Sequence, residues 1–418
     1  MNSPTVFLQR LFEAAIGSAQ PAVCVPPYLP ERPAGRLVVV GAGKASAAMA
    51  RAVERNWRGP LEGLVVTRYG HAAACDRIEI VEAAHPVPDQ NGLEAASRML
   101  ELVAGLTEND TLLGLFSGGG SALLPAPIQG VTLADKQDIN RQLLTCGATI
   151  AELNCVRRHF SRIKGGGLAR AAGPAKIVNL LISDVPGDNP LDIASGPLVA
   201  DTTSATDALD VINRFGIRLP AVARASLEDG NTPTDQGAMP AVETHVIASP
   251  QQSLAAAAEL CRSQGIPVHI LSDRIEGEAK DVGVVMAGLA RQIACRSEPF
   301  VPPCVLLSGG ETTVTVKGTG KGGRNVAFLL SFSLAIEGVD GVYALAGDTD
   351  GIDGLEAIAG ATCDPTTLAR ARQIGINPRT SLGNDDGHGF FHALGDSIVT
   401  GPPRTNVNDF RAILVTGK

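Results

Sequence analysis

The 418-residue sequence lacks several patterns that would fix its class at once. No apolar run approaches the roughly 18 residues that a membrane-spanning helix needs. The eight cysteines never form a C-x-x-C pair, so neither a zinc knuckle nor a redox pair is indicated. A net charge of −8 argues against a protein that coats a polyanion. We therefore expect a cytoplasmic protein that binds small molecules and neither nucleic acid nor a membrane.

Motifs for covalent catalysis are also missing. His388 and His392 are four residues apart in a helical pattern, but no glutamate follows His388, so the H-E-x-x-H zinc motif is absent. His85 lies in a rigid His-Pro-Val-Pro turn. No nucleophile stands beside an evident base, which favours chemistry without a covalent intermediate.

The sequence does contain an alternation of short apolar runs and longer helical patterns. In its first half, strands are predicted near residues 36–40, 63–67, 111–116 and 176–182, and helices near residues 43–56, 89–104, 132–146 and 203–215. This alternation predicts βαβ units around a mainly parallel sheet that is buried on both faces.

A polar stretch with several prolines and glycines, residues 217–243, is typical of a domain boundary. The chain is too long for one compact core, so we expect a Rossmann-like domain over residues 1–238 and a second α/β domain over residues 239–418, whose first strand lies near 244–248. Glycine-rich and aspartate-rich loops follow strands in both halves. Ligands of parallel sheets lie beyond the carboxyl ends of the strands, so one cleft between the domains is expected.

The stretch VVVGAGKASAAMA, residues 38–50, reads as a strand, a glycine turn and a helix. The dinucleotide loop G-x-G-x-x-G fits in part, because Gly41 and Gly43 are in place while Ser46 replaces the third glycine. The acidic ribose ligand expected about 20 residues later is missing, since the next strand ends at Thr67 and Arg68.

The P-loop pattern G-x-x-x-x-G-K-[ST] fails in the same stretch. Its first glycine would fall at Val38, and Ala45 replaces the hydroxyl residue that should follow Lys44. An anion at the start of the helix is still expected, because free N–H groups and the helix dipole favour negative charge there. A tight turn with a surface lysine is the alternative.

A second glycine cluster follows the predicted strand near 111–116. Its members are Ser117, Gly118, Gly119, Gly120 and Ser121. Consecutive glycines let N–H groups turn toward a phosphate, although a flexible turn has the same composition. The basic segment 157–164 precedes another glycine run and predicts either an anion-binding patch or a solvated helix end.

A third glycine-rich segment, residues 317–325, is expected to be a mobile loop that closes over a phosphate. It carries Lys321, Gly323 and Arg324 into a helix, where Arg324 offers a bidentate guanidinium. Glu311 follows Ser-Gly-Gly at a strand near the same edge; a plain surface carboxylate is the alternative interpretation.

Aspartates follow two predicted strands. Asp184 and Asp188 lie in one loop, and Asp348 and Asp350 lie in the other. Mg²⁺ takes one or two carboxylates together with phosphate oxygens, so Asp184, Asp188 and Asp348 are candidate ligands. The second loop lacks the spacing of a calcium-binding EF-hand, and aspartate-stabilised turns are the alternative for both.

The sequence thus offers candidate anion sites, single cations and carboxylates, but no residues for covalent catalysis. This combination favours phosphoryl transfer to a small acceptor. The chain resembles the bacterial glycerate 2-kinase family, often labelled hydroxypyruvate reductase. The resemblance runs through VVVGAGKASAAMA, FSGGGSALL, NCVRRHFSRIKGGGLA, LLISDVPGDNPLDIASGPLVAD, LLSGGETTVTVKGTGKGGRN, LAGDTDGIDG and TGPPRTNVNDF.

The resemblance implies a Rossmann-like domain followed by a MOFRL domain, and an ATP-dependent, Mg²⁺-assisted transfer to the 2-hydroxyl of D-glycerate. Lys44 and Arg324 would act on the substrate and the transferring phosphoryl group, and Asp184 and Asp188 would bind metal or act as base. The cleft would be lined by Glu311, Asp348, Asp350 and Asn406. The oligomeric state stays open, with a homodimer as the assembly considered.

Two departures from the family pattern leave the substrate range open. Val326-Ala327 replaces a preferred Gln-Glu pair, and Pro403-Arg404 replaces a preferred Thr-Gly pair. The alternative activity is an NAD(P)H-dependent hydroxypyruvate reductase, with Arg68 on the 2′-phosphate of the cofactor. A sensor that binds its ligand without turnover is a third hypothesis.

Overall fold

A computed structural model describes residues 3–230, 232–233 and 238–417, so part of the expected boundary stretch lies outside the described residues. The chain forms two compact units. One unit runs from Pro21 to Ile247, and the other combines the chain up to Gln20 with the chain from Ala248 onward. The division therefore falls near the expected boundary at 238/239, but the first segment belongs to the second unit.

The helices alternate with strands in the first unit and cover both faces of the sheet in the second. They are α1 Pro4–Ser18, α2 Pro21–Cys24, α3 Ser46–Asn56, α4 Gln90–Val103, α5 Gly120–Leu123, α6 Leu133–Thr145, α7 Ile150–His159, α8 Gly167–Ala171, α9 Ala205–Phe215, α10 Ala221–Glu228, α11 Pro250–Ser263, α12 Ala279–Arg296, α13 Arg324–Ile336, α14 Thr367–Gln373, α15 Pro378–Gly383 and α16 Gly387–Leu394. Short 3₁₀ turns cover Pro26–Tyr28 and Ile193–Ser195. Within the described ranges, none of the helices has the length and apolar character to cross a membrane.

The strands form two large sheets and one short pair. They are β1 Leu37–Ala42, β2 Leu61–Arg68, β3 Ile78–Ala83, β4 Thr111–Ser117, β5 Lys176–Ile182, β6 Val242–Ala248, β7 Val268–Ser272, β8 Gly277–Glu278, β9 Cys304–Gly310, β10 Thr312–Thr313, β11 Val342–Asp348, β12 Gly360–Cys363, β13 Ser397–Ile398 and β14 Asp409–Val415.

The sheet of the Pro21–Ile247 unit has the strand order β3-β2-β1-β4-β5-β6. β1 pairs in parallel with β2 on one side and with β4 on the other. β1 and β4 are buried along their whole length, as expected for strands covered by helices on both faces. This is the order of dinucleotide-binding folds, whose ligands bind where the order reverses, here between β1 and β4. The Rossmann-like prediction is confirmed.

β6 was expected to open the second domain, but it is the edge strand of this first sheet, beside β5. Val242 and Val246 pack against the core of the first sheet, and this apolar contact explains the assignment. The predicted boundary before β6 therefore falls inside the Pro21–Ile247 unit and does not separate the two units.

The sheet of the other unit is mixed, with the order β13-β12-β11-β14-β9-β7. β14 is antiparallel to both β11 and β9, and β7 is parallel to β9. Alternate residues of β14 enter two different cores, as strand geometry requires. Phe410 and Leu414 pack with α1 and α11, and Ile413 and Val415 pack with α12 and α13.

Helix α1 completes the core of this mixed-sheet unit. Ser3 caps its first turn by accepting a hydrogen bond from the amide of Val6 at 3.5 Å. Helical spacing places the large side chains of Phe7, Leu11 and Phe12 on one face of α1. That face packs against the mixed sheet and α11, which is why the first segment does not belong to the Rossmann-like unit.

We expect Gly360→Ala to destabilise the mixed sheet by about 1–3 kcal/mol, because the added methyl group would overlap the carbonyl oxygen of Ala346 on the neighbouring strand. Gly288→Ala is the matched control, since Gly288 lies in α12 with open space around it, and alanine there should raise stability by up to about 1 kcal/mol. Thermal unfolding followed by circular dichroism checks both. An unchanged midpoint for Gly360→Ala would contradict the strand pairing.

Candidate active site

In the Rossmann-like unit, the turn after β1 lies directly against the end of β4. The amide of Lys44 donates a hydrogen bond to the carbonyl oxygen of Gly118 at 2.9 Å. Gly43 has a φ of +145° and no room for a side chain, because a Cβ would overlap Ser117. The two predicted anion loops of this unit therefore form one surface at the point where the strand order reverses.

Ser117 holds this turn in place. Its hydroxyl accepts a hydrogen bond from the amide of Ala45 at 3.0 Å and lies 3.3 Å from the hydroxyl of Ser46. Gly41 is needed inside β1, because a Cβ there would overlap the carbonyl oxygen of Leu115 on β4. Ser46 thus occupies the position of the third glycine of a dinucleotide loop and bonds to the neighbouring strand.

The glycine cluster after β4 lies against two side chains that the sequence analysis discussed, Lys44 and His85. Gly119 has a φ of +81°, which a residue with a side chain rarely adopts. A Cβ on Gly119 would lie 3.2 Å from the imidazole ring of His85 and 3.4 Å from Cγ of Lys44. Gly120 is in close contact with the carbonyl oxygen of Ala42. The absent side chain at Gly119 therefore lets Lys44 and His85 flank the same glycine.

Lys164 is a buried cation of this unit. Its ammonium group donates to the carbonyl oxygen and to the hydroxyl of Ser121, both at 2.6 Å, and that hydroxyl lies 2.8 Å from the hydroxyl of Ser195. Burial, and then the nearby charges of Lys136 and Arg157, hold the pKa of Lys164 well below its usual range. The basic segment is therefore not a solvated helix end at Lys164.

Asp184 and Asp188 follow β5, the strand next to β4. Asp188 has a φ of +54°, and its Oδ1 is a buried atom without a hydrogen-bond partner within the described ranges. A buried acceptor of this kind fits a cation or a proton donor supplied by a ligand. No group of three or more His, Cys, Asp or Glu side chains able to hold a metal ion was found in residues 3–230, 232–233 and 238–417.

In the mixed-sheet unit, Arg324 is the centre of an ion-pair network whose members range from the buried Asp409 to the half-exposed Glu311. Arg324 is the first residue of α13, and its Nε donates to Asp409 at 2.7 Å while its Nη2 donates to Asp348 at 2.6 Å. Glu311 lies 3.7 Å from Nη1. Burial alone would lower the pKa of Arg324, but Asp409, Asp348 and Glu311 raise it above its ordinary value, so the guanidinium stays charged.

Asp409 is a site residue that the sequence analysis missed. Its carboxylate has no exposure and also accepts hydrogen bonds from Asn325 at 2.8 Å, from Thr312 at 3.3 Å and from Arg411. The only sequence signal was its place in the motif TGPPRTNVNDF, at the start of the buried strand β14. Its role became evident only when β14 was placed beside β9.

Asp353 caps the start of α13. Its Oδ1 accepts the amide of Asn325 at 3.0 Å, and its Oδ2 accepts the amide of Val326 at 2.9 Å. Gly323 must be glycine here, because a Cβ would overlap the carboxyl group of Asp353. Burial raises the pKa of Asp353 to about 6 despite these two hydrogen bonds.

The remaining predicted residues of this unit are buried. Asp348 accepts the amide of Asp350 at 2.9 Å, Asp350 accepts the amide of Ile352 at 2.9 Å, and Asn406 accepts the amide of Asn408 at 3.3 Å. These are aspartate- and asparagine-stabilised turns, the alternative that the sequence left open. Asp348 is the member of this set that also holds Arg324.

The glycine loop before α13 was predicted to be mobile, but the structure shows it anchored. Asp385 accepts the amides of Lys317 and Gly318 at 2.7 and 2.8 Å, and Asn384 accepts the amide of Thr319 at 3.1 Å. Lys280 forms an ion pair with Asp385. The amides of residues 317–319 are therefore already used within the protein, and the closing of the loop over a phosphate stays a prediction.

Lys321, also in this loop, forms an ion pair with Glu356 at 3.2 Å. Its amide donates to Asp386 at 3.1 Å. Arg324 and Glu311 line a cavity of about 560 Å³ together with glycines of the loop, whereas Lys321 is not among the described lining residues. In this unit the structure therefore places Arg324 and Glu311 at an accessible surface.

Two family descriptions match the chain. The domain of unknown function DUF4147 matches residues 7–228, and the MOFRL family matches residues 304–409. These matches define the chain as a two-part α/β protein in which a DUF4147 domain precedes a MOFRL domain.

Full-length relatives extend this assignment. A protein of Agrobacterium vitis named "Putative hydroxypyruvate reductase" is 53% identical over 98% of this chain and 94% of its own length. D-glycerate 2-kinase of Thermotoga maritima is 39% identical over 96% of this chain and 95% of its own length. The crystal structure of glycerate kinase from Thermotoga maritima superposes with a TM-score of 0.92 at 36% identity and covers 100% of both chains. The chain belongs to the glycerate 2-kinase family.

We expect Asp385→Asn to release the glycine loop and to make the amides of residues 317–318 exchange with solvent about tenfold faster, because charged hydrogen bonds and the Lys280 ion pair are lost. Hydrogen exchange measures this, with Asp340→Asn at an exposed position as the matched control. Equal exchange rates in the two variants would contradict the anchoring role of Asp385.

The same variant has a defined pH dependence. Lys280 and the loop amides lower the pKa of Asp385 to about 2 from an ordinary value of 3.8, despite its burial. A lowered carboxylate pKa stabilises the folded state above pH 3.8, and the stabilisation is lost as the pH falls toward 2. The difference in unfolding free energy between wild type and Asp385→Asn should therefore shrink below pH 3.8. A pH-independent difference would contradict the anchor.

Proposed function

We propose that this protein is an ATP-dependent D-glycerate 2-kinase. The observation that carries the proposal is the position of Lys44 beside the triple glycine, where the strand order of the Rossmann-like sheet reverses. The end-to-end similarity to D-glycerate 2-kinase and glycerate kinase of Thermotoga maritima supports the same reaction.

In the proposed reaction, the 2-hydroxyl oxygen of D-glycerate forms a bond to the γ-phosphorus of ATP, and the bond from that phosphorus to the bridging oxygen breaks. The products are 2-phospho-D-glycerate and ADP, and the hydroxyl proton passes to a base or to solvent. Such transfers need positioning and charge neutralisation rather than a covalent intermediate. The lack of a nucleophile–base pair in the sequence agrees with this chemistry.

Lys44 would supply charge from the surface formed by the loops after β1 and β4. Its backbone is fixed by the hydrogen bond to Gly118, and Gly119 leaves space on the side that His85 also flanks. A cation held this way is preorganised for the negative charge that develops on the transferring group.

Arg324 would supply the second charge. Two of its N–H groups are used by Asp409 and Asp348, which fix the plane of the guanidinium. Glu311, about half-exposed at 48%, is the most accessible of its acidic partners and lines the same cavity. A guanidinium held in one plane is suited to bidentate contact with a phosphoryl group or a carboxylate.

Mg²⁺ is part of the proposal as the companion of the nucleotide. The orphaned, buried Oδ1 of Asp188 fits one bond to a hard cation, and Asp184 in the same loop is the second candidate. Glu311 and Asp348 place two negative charges beside the single positive charge of Arg324. These carboxylates would repel a free phosphate, and a phosphate that carries Mg²⁺ suits them better. Bound Mg²⁺ would neutralise charge on the phosphate oxygens. Cytoplasmic location and assembly as a homodimer stay predictions.

Hydroxypyruvate reduction is the second candidate, because the Agrobacterium vitis relative carries that name. The β1–α3 turn offers Gly41 and Gly43 to a pyrophosphate. However, the end of β2, where an acidic residue would bind a ribose, has Thr67, whose hydroxyl donates to the carbonyl oxygen of Gly43 at 3.1 Å.

A coupled assay separates the two activities. Purified protein with D-glycerate, ATP and Mg²⁺ is coupled to enolase, so that only 2-phosphoglycerate gives a signal, and a parallel reaction contains hydroxypyruvate and NADPH. We expect signal in the first reaction alone. Oxidation of NADPH with no 2-phosphoglycerate would replace the kinase assignment by the reductase.

We expect Lys44→Met and Arg324→Lys to lower kcat by about 10³-fold, because each removes charge or bidentate geometry at the transferring group. The KM for ATP should change much less. Arg141→Gln, at a side chain that is 71% exposed, is the control and should keep wild-type kcat. A rise in KM with unchanged kcat would show that the two cations bind the ground state and the transition state equally well, and that they do not specifically stabilise the transition state.

A further inference from the structure

The Rossmann-like unit contains a second feature beside Lys44, a cavity of about 290 Å³. One face of α6 forms one wall, because Lys136, Ile139, Asn140 and Leu144 follow helical spacing. The end of α7 and the residues after it form a second wall, and the loop after β3 with the loop after β4 form the rest. Two residues of the predicted glycine cluster, Gly119 and Ser121, line this cavity, but the proposed roles of Lys44 and Arg324 do not use it.

Three cations line the cavity, and they lie close enough to repel one another. They are Lys136 on α6, Arg157 on α7 and Lys164 after α7. Burial and the charge of Arg157 lower the pKa of Lys136 to about 7, and burial followed by the charges of Lys136 and Arg157 lowers the pKa of Lys164. An anion bound in the cavity would offset both causes and favour the charged form of the two lysines.

The described lining of the cavity does not supply that anion. Among the described residues that line it, none is Asp or Glu. The hydrogen bonds of the three cations go to uncharged oxygens: Lys136 to the carbonyl of Phe160 at 3.4 Å, Lys164 to Ser121, and Arg157 to the side chain of Asn140 at 2.8 Å. Three basic side chains that face uncharged oxygens, with the lysine pKa values lowered by burial and by one another, favour a site that binds an anion.

The other walls of the cavity are apolar. Val87, Pro125, Ile139, Leu144 and Phe160 line it, and Gly119 connects it to the loop that flanks Lys44. A ligand that fits has one polyanionic end near the lysines and one flat or apolar part against these side chains. A three-carbon hydroxy acid has a single negative charge and no apolar part, so it would leave most of this lining unmatched.

We propose that this cavity is the nucleotide subsite, in which Lys136, Arg157 and Lys164 bind the phosphate chain and the apolar wall holds the nucleoside. The inference rests on the proposed kinase function and deepens it. A phosphate chain held here would lie beside Gly119, and therefore next to Lys44, in the same unit of the protein. Lys136, Arg157 and Lys164 are thus assigned to donor binding, which is a role distinct from that of Lys44.

A matched pair of substitutions at the mouth of the cavity tests the charge argument. Leu144 is 63% exposed, so neither variant should disturb folding. Leu144→Glu adds a negative charge to the lining of a cavity that is proposed to hold a polyanion, and Leu144→Gln adds nearly the same shape without the charge. We expect Leu144→Glu to raise the Kd for ADP, measured by calorimetry on the full chain, at least about tenfold relative to Leu144→Gln.

A second pair tests the lysine itself. Lys136→Met removes one cation and keeps most of the side-chain volume, and Arg141→Gln on the same helix removes an exposed cation that pairs with Asp138. We expect Lys136→Met to weaken ADP binding about tenfold or more and Arg141→Gln to change it less than about twofold. The KM for D-glycerate should stay within about twofold of wild type in both variants, because neither residue is assigned to the acid.

Proton uptake provides a readout that a merely structural lysine would not give. Lys136, with a pKa of about 7, is faced by Arg157 and Lys164, and His85 lines the same cavity. Bound phosphates raise a lysine pKa, so above pH 7 ADP binding should take up protons and weaken as the pH rises. Calorimetry about one unit above pH 7, in two buffers with different ionisation enthalpies, measures the number of protons taken up on ADP binding. Lys136→Met should reduce this number.

Two results would overturn the proposal. One is an ADP Kd that is equal in Leu144→Glu and Leu144→Gln and unchanged in Lys136→Met. The other is an unchanged ADP Kd together with a raised KM for D-glycerate, which would make the acid the occupant. The proposed kinase function can be rejected independently of the subsite. If the wild-type protein makes no 2-phosphoglycerate, but ADP affinity still differs within each pair of variants, the nucleotide subsite is supported and the kinase assignment is wrong.

Discussion

The ion pair between Arg324 and Asp409 is the interaction on which the polar interior of the mixed-sheet unit depends. Asp409 opens β14, which lies between β11 and β9, and the same carboxylate also holds Asn325 and Arg411. Removing one partner from a buried pair typically costs about 3–5 kcal/mol, because the other charge is left uncompensated. The position of Arg324 is therefore fixed by the sheet itself and by the start of α13, with no contribution from a flexible loop.

Sequence patterns predicted β1, β4, β5 and β6 and missed β3 and β12. β1, β4 and β5 stand out because a strand covered on both faces needs consecutive apolar residues. β3 was missed because Glu79 and Glu82 interrupt its apolar residues, and β12 was missed because Gly360–Cys363 is short and made mostly of small residues. The pairing of β6 depends on contacts across the unit, which local patterns do not encode.

Candidate site residues could be chosen from the sequence where the expected role follows from a residue's local position. Arg324 after a glycine run at a helix start, and Lys44 after a strand and a glycine turn, could be chosen on that basis. Asp409 could not, because its partner is 85 residues away in the chain. Lys136 could not, because a lysine in a polar helical pattern normally faces solvent, and only the packing of α7 and the neighbouring loops encloses it.

The place of α1 has a consequence for the order in which the protein is made. This helix leaves the ribosome before the whole Rossmann-like unit, yet the surface that covers Phe7, Leu11 and Phe12 includes β14, which is synthesised long after that unit. The unit from Pro21 to Ile247 is complete well before β14 emerges and is free to fold during translation. The mixed sheet closes only once β14 has emerged, so until then the nascent chain carries α1 without the part of its cover that the mixed sheet provides.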